Sequence, residues 1–166
     1  IGGNSKNVTV KGLEIDGSGP SCQVRIGMSV NDHGYKARAG EWREGFRLIN
    51  NYVHGSEGEG IYFGPNQTQN GTTDMLVRDN EIGNNVVSDT GCDGITYKSA
   101  VAGSSSIHHN HITNTGQSPR DITDGCSGTG IELFESGYTD IHSNYVEAPT
   151  PVSDGPGHCI AQAITH

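Results

Sequence analysis

The sequence has little of what builds an ordinary globular core. Of its 166 residues, 31% are hydrophobic and 6% aromatic, with a single tryptophan. A broad core of large side chains is thereby excluded; a narrow one is what this composition can fill. No apolar run approaches the length of a membrane span and no secretory leader is visible at either end, so no membrane partner is expected. Lys and Arg number 10 against 19 Asp and Glu, a formal net charge of −9. That balance argues against nucleic acid as a partner, because neutralising phosphates requires cations. It also disfavours a polyanionic ligand, unless a bound cation or a local basic patch intervenes. The four cysteines, Cys22, Cys92, Cys126 and Cys159, lack the paired spacing of a zinc site.

What the sequence does have is glycine, 25 residues of it, and a repeat. A unit of branched aliphatic, two residues, Asn, one residue and branched aliphatic runs through Leu48, Asn51 and Val53, then Val77, Asn80 and Ile82. It recurs as Ile107, Asn110 and Ile112, and as Ile141, Asn144 and Val146; a degenerate copy over Val10 to Ile15 has Leu13 in place of Asn. A second apolar run opened by glycine follows most copies: Gly60 to Phe63, Gly94 to Tyr97 and Gly130 to Leu133. Aligned at Val10, Leu48, Val77, Ile107 and Ile141, the copies are spaced by 38, 29, 30 and 34 residues. Self-similarity at such a period is the signature of a solenoid.

Helices would need apolar residues at i, i+3, i+4 and i+7 over ten or more positions, and no stretch provides them. A β-sandwich accommodates short strands but does not explain why Asn and Gly recur in register. The expected fold is a single all-β domain over residues 1–166, a right-handed parallel β-helix of about five coils. Opening on Ile1, Gly2, Gly3 and Asn4, the sequence reads as part of a longer chain, and uncapped coil ends would permit end-to-end self-association. The aliphatic residues should point inward, and Asn51, Asn80, Asn110 and Asn144 should stack at a corner as an amide ladder.

These Gly-Ile and Ile-x-x-Asn-x-Ile units resemble the parallel β-helix repeats of pectate lyases, alginate lyases, polysaccharide epimerases and related carbohydrate-active proteins. The resemblance spans nearly the whole chain, but phage tailspikes and adhesins share it, and fold alone does not give function. Gly157 and His158 are similar to the Gly-His-Gly of polygalacturonases, yet Cys159 replaces the second glycine and the other motifs of that family are absent. The Arg-x-Pro-x-x-Arg of the commonest pectate lyases is absent too.

On the second strand the outward file should read Tyr62, Thr96, Glu132, with Gly64, Lys98 and Phe134 two residues on. Placing Val24 to Ile26 as the first-coil strand would add Arg25 to the Tyr62 file. A uronate lyase must neutralise a carboxylate, remove the proton alpha to it and protonate the leaving oxygen. Lys98 suits the base, Arg25 the clamp and Tyr62 the acid. Glu132 lies diagonal to Lys98, ~7–8 Å away, so that a sugar can bridge them; an exposed Lys98–Glu132 ion pair of little energetic value is the alternative. The file Glu59, Asp93, Thr129, His158 offers two carboxylates for Ca²⁺, with Glu57 and Asp89 nearby, unless these residues bond turn backbone. Asp93 paired with Glu132 or Glu59 would also permit glycoside hydrolysis. His108, His109, His111 and His142 invite a metal, His108 and His142 sharing a file; a solvated, glycan-touching face is the alternative. The segment from Ser29 to Gly45 brings Tyr35, Lys36, Arg38, Trp42 and Arg43 together as a sugar-stacking or covering loop.

Three sequons, at Asn7, Asn66 and Asn70, and the cysteines point to a secreted, oxidising setting. Cys92 and Cys126, each just before the glycine of successive coils, are the expected disulfide. The function implied is a secreted protein acting on or binding an acidic polysaccharide, by lyase-like β-elimination or epimerisation. A non-enzymatic fibre or adhesive solenoid is the rival.

Overall fold

A computed structural model describes residues 5–19, 24–30, 42–64, 76–98, 104–117, 128–134, 139–147 and 163–165. Its first turn carries Ser5–Lys6 (β1), Thr9–Lys11 (β2), Glu14–Asp16 (β3) and Met28–Val30 (β4). The next carries Trp42–Glu44 (β5), Arg47–Ile49 (β6), Tyr52–His54 (β7) and Ile61–Phe63 (β8). Leu76–Arg78 (β9), Glu81–Gly83 (β10), Val86–Ser88 (β11) and Ile95–Lys98 (β12) follow. Then come Ser105–His108 (β13), His111–Thr113 (β14), Ile131–Phe134 (β15), Thr139–His142 (β16), Tyr145–Val146 (β17) and Ile164–Thr165 (β18). Among the described residues there is no helix.

All pairings are parallel and join a strand to its counterpart one turn away. They form four sheets: A (β1, β5, β9), B (β2, β6, β10, β13, β16), C (β3, β7, β11, β14, β17) and D (β4, β8, β12, β15, β18). The chain is therefore an all-β parallel solenoid of the β-helix kind. Strands this short alternate one residue in and one out. The inward set, including Leu48, Val53, Ile61, Phe63, Ile82, Val87, Ile95, Ile107, Ile112 and Ile131, is fully buried in a single cluster. Each such side chain contributes about 1.5–3 kcal/mol by leaving water.

The corners follow from residues that tolerate left-handed backbone. Between sheets B and C the file Gly12, Asn50, Asn84, His109, Ser143 has φ of 68°, 57°, 55°, 52° and 55°. The asparagine that follows each of the last four turns inward instead, Leu13 taking its place after Gly12. Asn51 donates from Nδ2 to Asn85 Oδ1 (3.1 Å), Asn85 to Asn110 (3.0 Å) and Asn110 to Asn144 (2.9 Å). Each Nδ2 also donates to a backbone carbonyl, of Val10, Leu48, Ile82 and Ile107 in turn. The ladder is thus satisfied along its length, and Leu13 N caps it by donating to Asn51 Oδ1.

Two expectations are corrected here. Asn80 is not in the ladder; Asn85 is. Ile82, not Val77, stacks between Leu48 and Ile107, and Val77 pairs with Arg43 in sheet A. Val77–Asn80–Ile82 and Ile82–Asn85–Val87 both fit the repeat, five residues apart, and packing selects the second for this corner. Asn80 occupies the preceding corner, where it accepts from Phe46 N and donates to Arg43 O and Tyr97 Oη. Left-handed geometry also falls on the residue before each ladder asparagine rather than on the asparagine itself.

Candidate functional site

The outer face of sheet D gathers most of the expected site. Its register stacks Ser29, Tyr62, Thr96, Glu132 and Thr165 in one file and sets Lys98 beside Phe134. Gly60, Gly94 and Gly130 start these strands because nothing larger fits. A Cβ on Gly94 would stand 2.5 Å from Ile112 Cγ2 and 2.7 Å from the Gly130 carbonyl oxygen. That close approach fixes the strand starts, and with them the file of Glu59, Asp93 and Thr129 one residue earlier.

Tyr62 alternates with the core residues Ile61 and Phe63, so it points away from the core, yet it is only 3% exposed; Thr96 beside it is equally covered. Lys98 Nζ lies 5.2 Å from the centre of the Tyr62 ring, within cation–π range. Three carboxylates surround this pair. Asp93 is buried; its Oδ1 accepts from Thr129 N at 2.7 Å, and its Oδ2 lies 3.4 Å from Thr96 Oγ1. Glu59 and Glu132 are half-buried. Burial pushes both of their pKa values up, and the negative charge of Asp93 pushes in the same direction. Lys98 opposes the rise at both, and Arg25 opposes it at Glu59. Burial and these carboxylates raise the Tyr62 phenol far above its ordinary value, so it keeps its proton.

The arrangement therefore holds two carboxyl groups, Glu59 and Glu132, biased towards the protonated state around one lysine amino group, over a phenol that stays neutral. Such a set can donate and accept protons without a cofactor.

Arg25 is displaced from its expected place. Ser29, not Arg25, shares the Tyr62 file, because Met28–Val30 is the strand. Arg25 O instead accepts from Gly58 N at 2.8 Å, near Glu59. The signal was in the sequence: Gly27, Met28 and Val30 repeat the spacing of Gly60, Ile61 and Phe63. Ser29 joins the expected Thr96 and Asp93 in the constellation through that register.

Trp42 and Arg43 do not lie in a loop. They are in strand β5, and Arg43 is buried, 1% exposed, between Ser5 and Val77. Tyr35, Lys36, Arg38 and His158 lie outside the described residues, as do Asn66 and Asn70; Asn7 is exposed at a left-handed corner. Cys92 is half of a disulfide, while Cys22, Cys126 and Cys159 lie outside the described residues. Among the described residues, no three His, Cys, Asp or Glu side chains converge as a metal-binding set. His108 and His142 do share a file in sheet B, but His109 joins them rather than His111, which lies across the corner in sheet C against Tyr145.

No family model, no curated protein and no solved structure matches this chain.

Proposed function

We propose that this chain is a secreted, carbohydrate-active solenoid that acts on an acidic polysaccharide by proton transfer at the outer face of sheet D. The observation that carries the reading is Lys98 set over the Tyr62 ring and flanked by Glu59 and Glu132. In β-elimination a base takes the proton alpha to the uronate carboxylate. Those electrons form the new carbon–carbon double bond, the bond to the leaving oxygen breaks, and an acid protonates that oxygen. Lys98 suits the base in its uncharged amine form, and Tyr62 the acid, since its phenol holds the proton to be given. Glu132 suits proton relay, and Arg25, beside Glu59, suits binding of the sugar carboxylate at the edge of the site rather than its centre. Epimerisation uses the same proton abstraction with return of the proton to the opposite face. Ca²⁺ bridging between Glu59, Asp93 and the sugar acid would offset the acidity of the face.

The test is incubation with pectate, alginate and glucuronan, with and without Ca²⁺. Absorbance of an unsaturated uronate is expected, and lysine-to-alanine and tyrosine-to-phenylalanine variants at 98 and 62 should lower the rate about 10²–10⁴-fold. No absorbance, and no epimerised product by NMR, on any of the three polymers would overturn the enzymatic reading.

A binding-only, adhesive solenoid is the second reading. It is favoured by the exposed file on sheet C in which Tyr52, Val86 and Tyr145 present large apolar surfaces, 39%, 41% and 60% exposed.

A further inference from the structure

The outer face of sheet B carries a side-chain cluster that the proposed chemistry on sheet D does not use. His108 and His142 pair in register on β13 and β16 and their rings stack, with centroids 5.2 Å apart and planes 8° from parallel. His109 closes the group from the corner, edge-on to both at 5.2 and 5.6 Å. Behind them stand carboxylates: Glu81 Oε1 is 3.1 Å from His108 Nε2, and Asp140 Oδ2 is 3.9 Å from His142 Nε2. Glu81 is itself anchored, its other oxygen accepting from Arg47 Nε at 2.7 Å.

The sequence makes room for this ring. Gly83 stands opposite His108, and a Cβ there would come within 2.6 Å of His108 Cε1. His109 is equally fixed, by a left-handed φ of 52° that aims it back across the sheet edge. The result is a short contact between two imidazole nitrogens, His108 Nδ1 and His109 Nδ1, 3.0 Å apart.

A carboxylate can only accept, so His108 Nε2 donates to Glu81, and Nδ1 is left to face His109 Nδ1. This is the arrangement in which a carboxylate fixes a metal-binding histidine. Two nitrogens each ~2.1 Å from one ion stand ~3.0 Å apart at right angles, against ~3.4 Å at the tetrahedral angle. The observed separation matches the right-angle case, which square-planar and octahedral ions prefer.

We propose that His108 and His109 form a two-nitrogen chelate for a divalent transition cation of the Cu²⁺ or Ni²⁺ kind on the outer face of sheet B. Glu81 acts as a positioning residue through His108. No third protein ligand converges among the described residues, so water completes the coordination. On binding, His109 carries its proton on Nε2 rather than Nδ1, so that both Nδ1 lone pairs turn to the ion.

The test titrates the whole chain with Cu²⁺, Ni²⁺ and Zn²⁺ by calorimetry and records the Cu²⁺ electron paramagnetic resonance spectrum. One strong Cu²⁺ site is expected, with hyperfine structure from two nitrogens and affinity falling from Cu²⁺ to Ni²⁺. His109→Asn keeps a residue suited to left-handed backbone, so the fold should stand, checked by circular dichroism, while Cu²⁺ affinity drops at least tenfold and one nitrogen is lost from the spectrum. Glu81→Gln should weaken binding about 10–100-fold with both nitrogens retained. His111→Ala, across the corner, should change nothing. Wild-type binding in His109→Asn would overturn the assignment, as would loss of binding in His111→Ala or the absence of a Cu²⁺ site.

Discussion

Asn85 sits between Asn51 and Asn110, accepting from Asn51 Nδ2 at 3.1 Å and donating to Asn110 Oδ1 at 3.0 Å. Its Oδ1 also accepts from Asn51 N, and its Nδ2 also donates to Leu48 O. One amide thus joins three turns of the chain where water does not reach.

Removing it should be expensive. Asn85→Ala strips Asn51 N of its acceptor and leaves a void, and each unsatisfied buried group costs about 1–3 kcal/mol. We expect a loss of about 2–4 kcal/mol in urea unfolding. Asn144→Ala, at the less buried end of the ladder, should cost clearly less. Equal losses at the two positions would contradict the ladder as a cooperative element.

Gly94→Ala should destabilise by about 1–3 kcal/mol, although its backbone is not left-handed. The obstacle is crowding: the added methyl would strike Ile112 and the Gly130 carbonyl. Gly12→Ala meets nothing within 4 Å but adopts φ of 68°, so its cost should be the smaller strain of about 1 kcal/mol. Thermal unfolding of the two variants separates crowding from backbone strain.

The carboxyls of Glu59 and Glu132 have raised pKa values in the folded chain, burial being the main cause. A raised acid binds more protons folded than unfolded, so its stabilising contribution is present below the ordinary value of 4.5 and is lost as pH rises through the folded value. Glu132→Gln should therefore stabilise the protein at pH 7 relative to wild type, with the difference vanishing near pH 4. Glu81 runs the other way, because Arg47 lowers it, so its contribution is lost as pH falls. Urea midpoints for the wild type and Glu132→Gln across this range test the sign.

Cys92 is half of a disulfide, and the expected other half is Cys126. Peptide mapping under non-reducing conditions should find that pair. Cys126→Ser should then cost about 2–4 kcal/mol, and added reductant should not change the variant further. A Cys92–Cys22 or Cys92–Cys159 peptide would refute the pairing.

Much of the sheet D face was legible in the sequence because its markers are unambiguous. Gly60, Gly94 and Gly130 each precede an inward Ile, so Tyr62, Thr96 and Glu132 had to align once the chain coiled. Arg25 was misplaced because Val24 and Ile26 alternate as convincingly as Met28 and Val30. The burial of Tyr62 could not be read at all, because what covers an outward position depends on segments distant in sequence, and that of Arg43 waited on the register that lays it in the inward file of Val77.

The sequence by itself determined the period-two strands, the residues that end them and the parallel coiling, since these rest on local backbone preference and on which side chains leave water. Tertiary structure alone decided the register of the third turn, where two overlapping copies of one unit compete. Asn85 prevails there because only that choice lays Ile82 between Leu48 and Ile107 and closes an amide chain with no unpaired group. That energy belongs to neighbours one turn above and below, and variable loop lengths hide it from any reading along the chain.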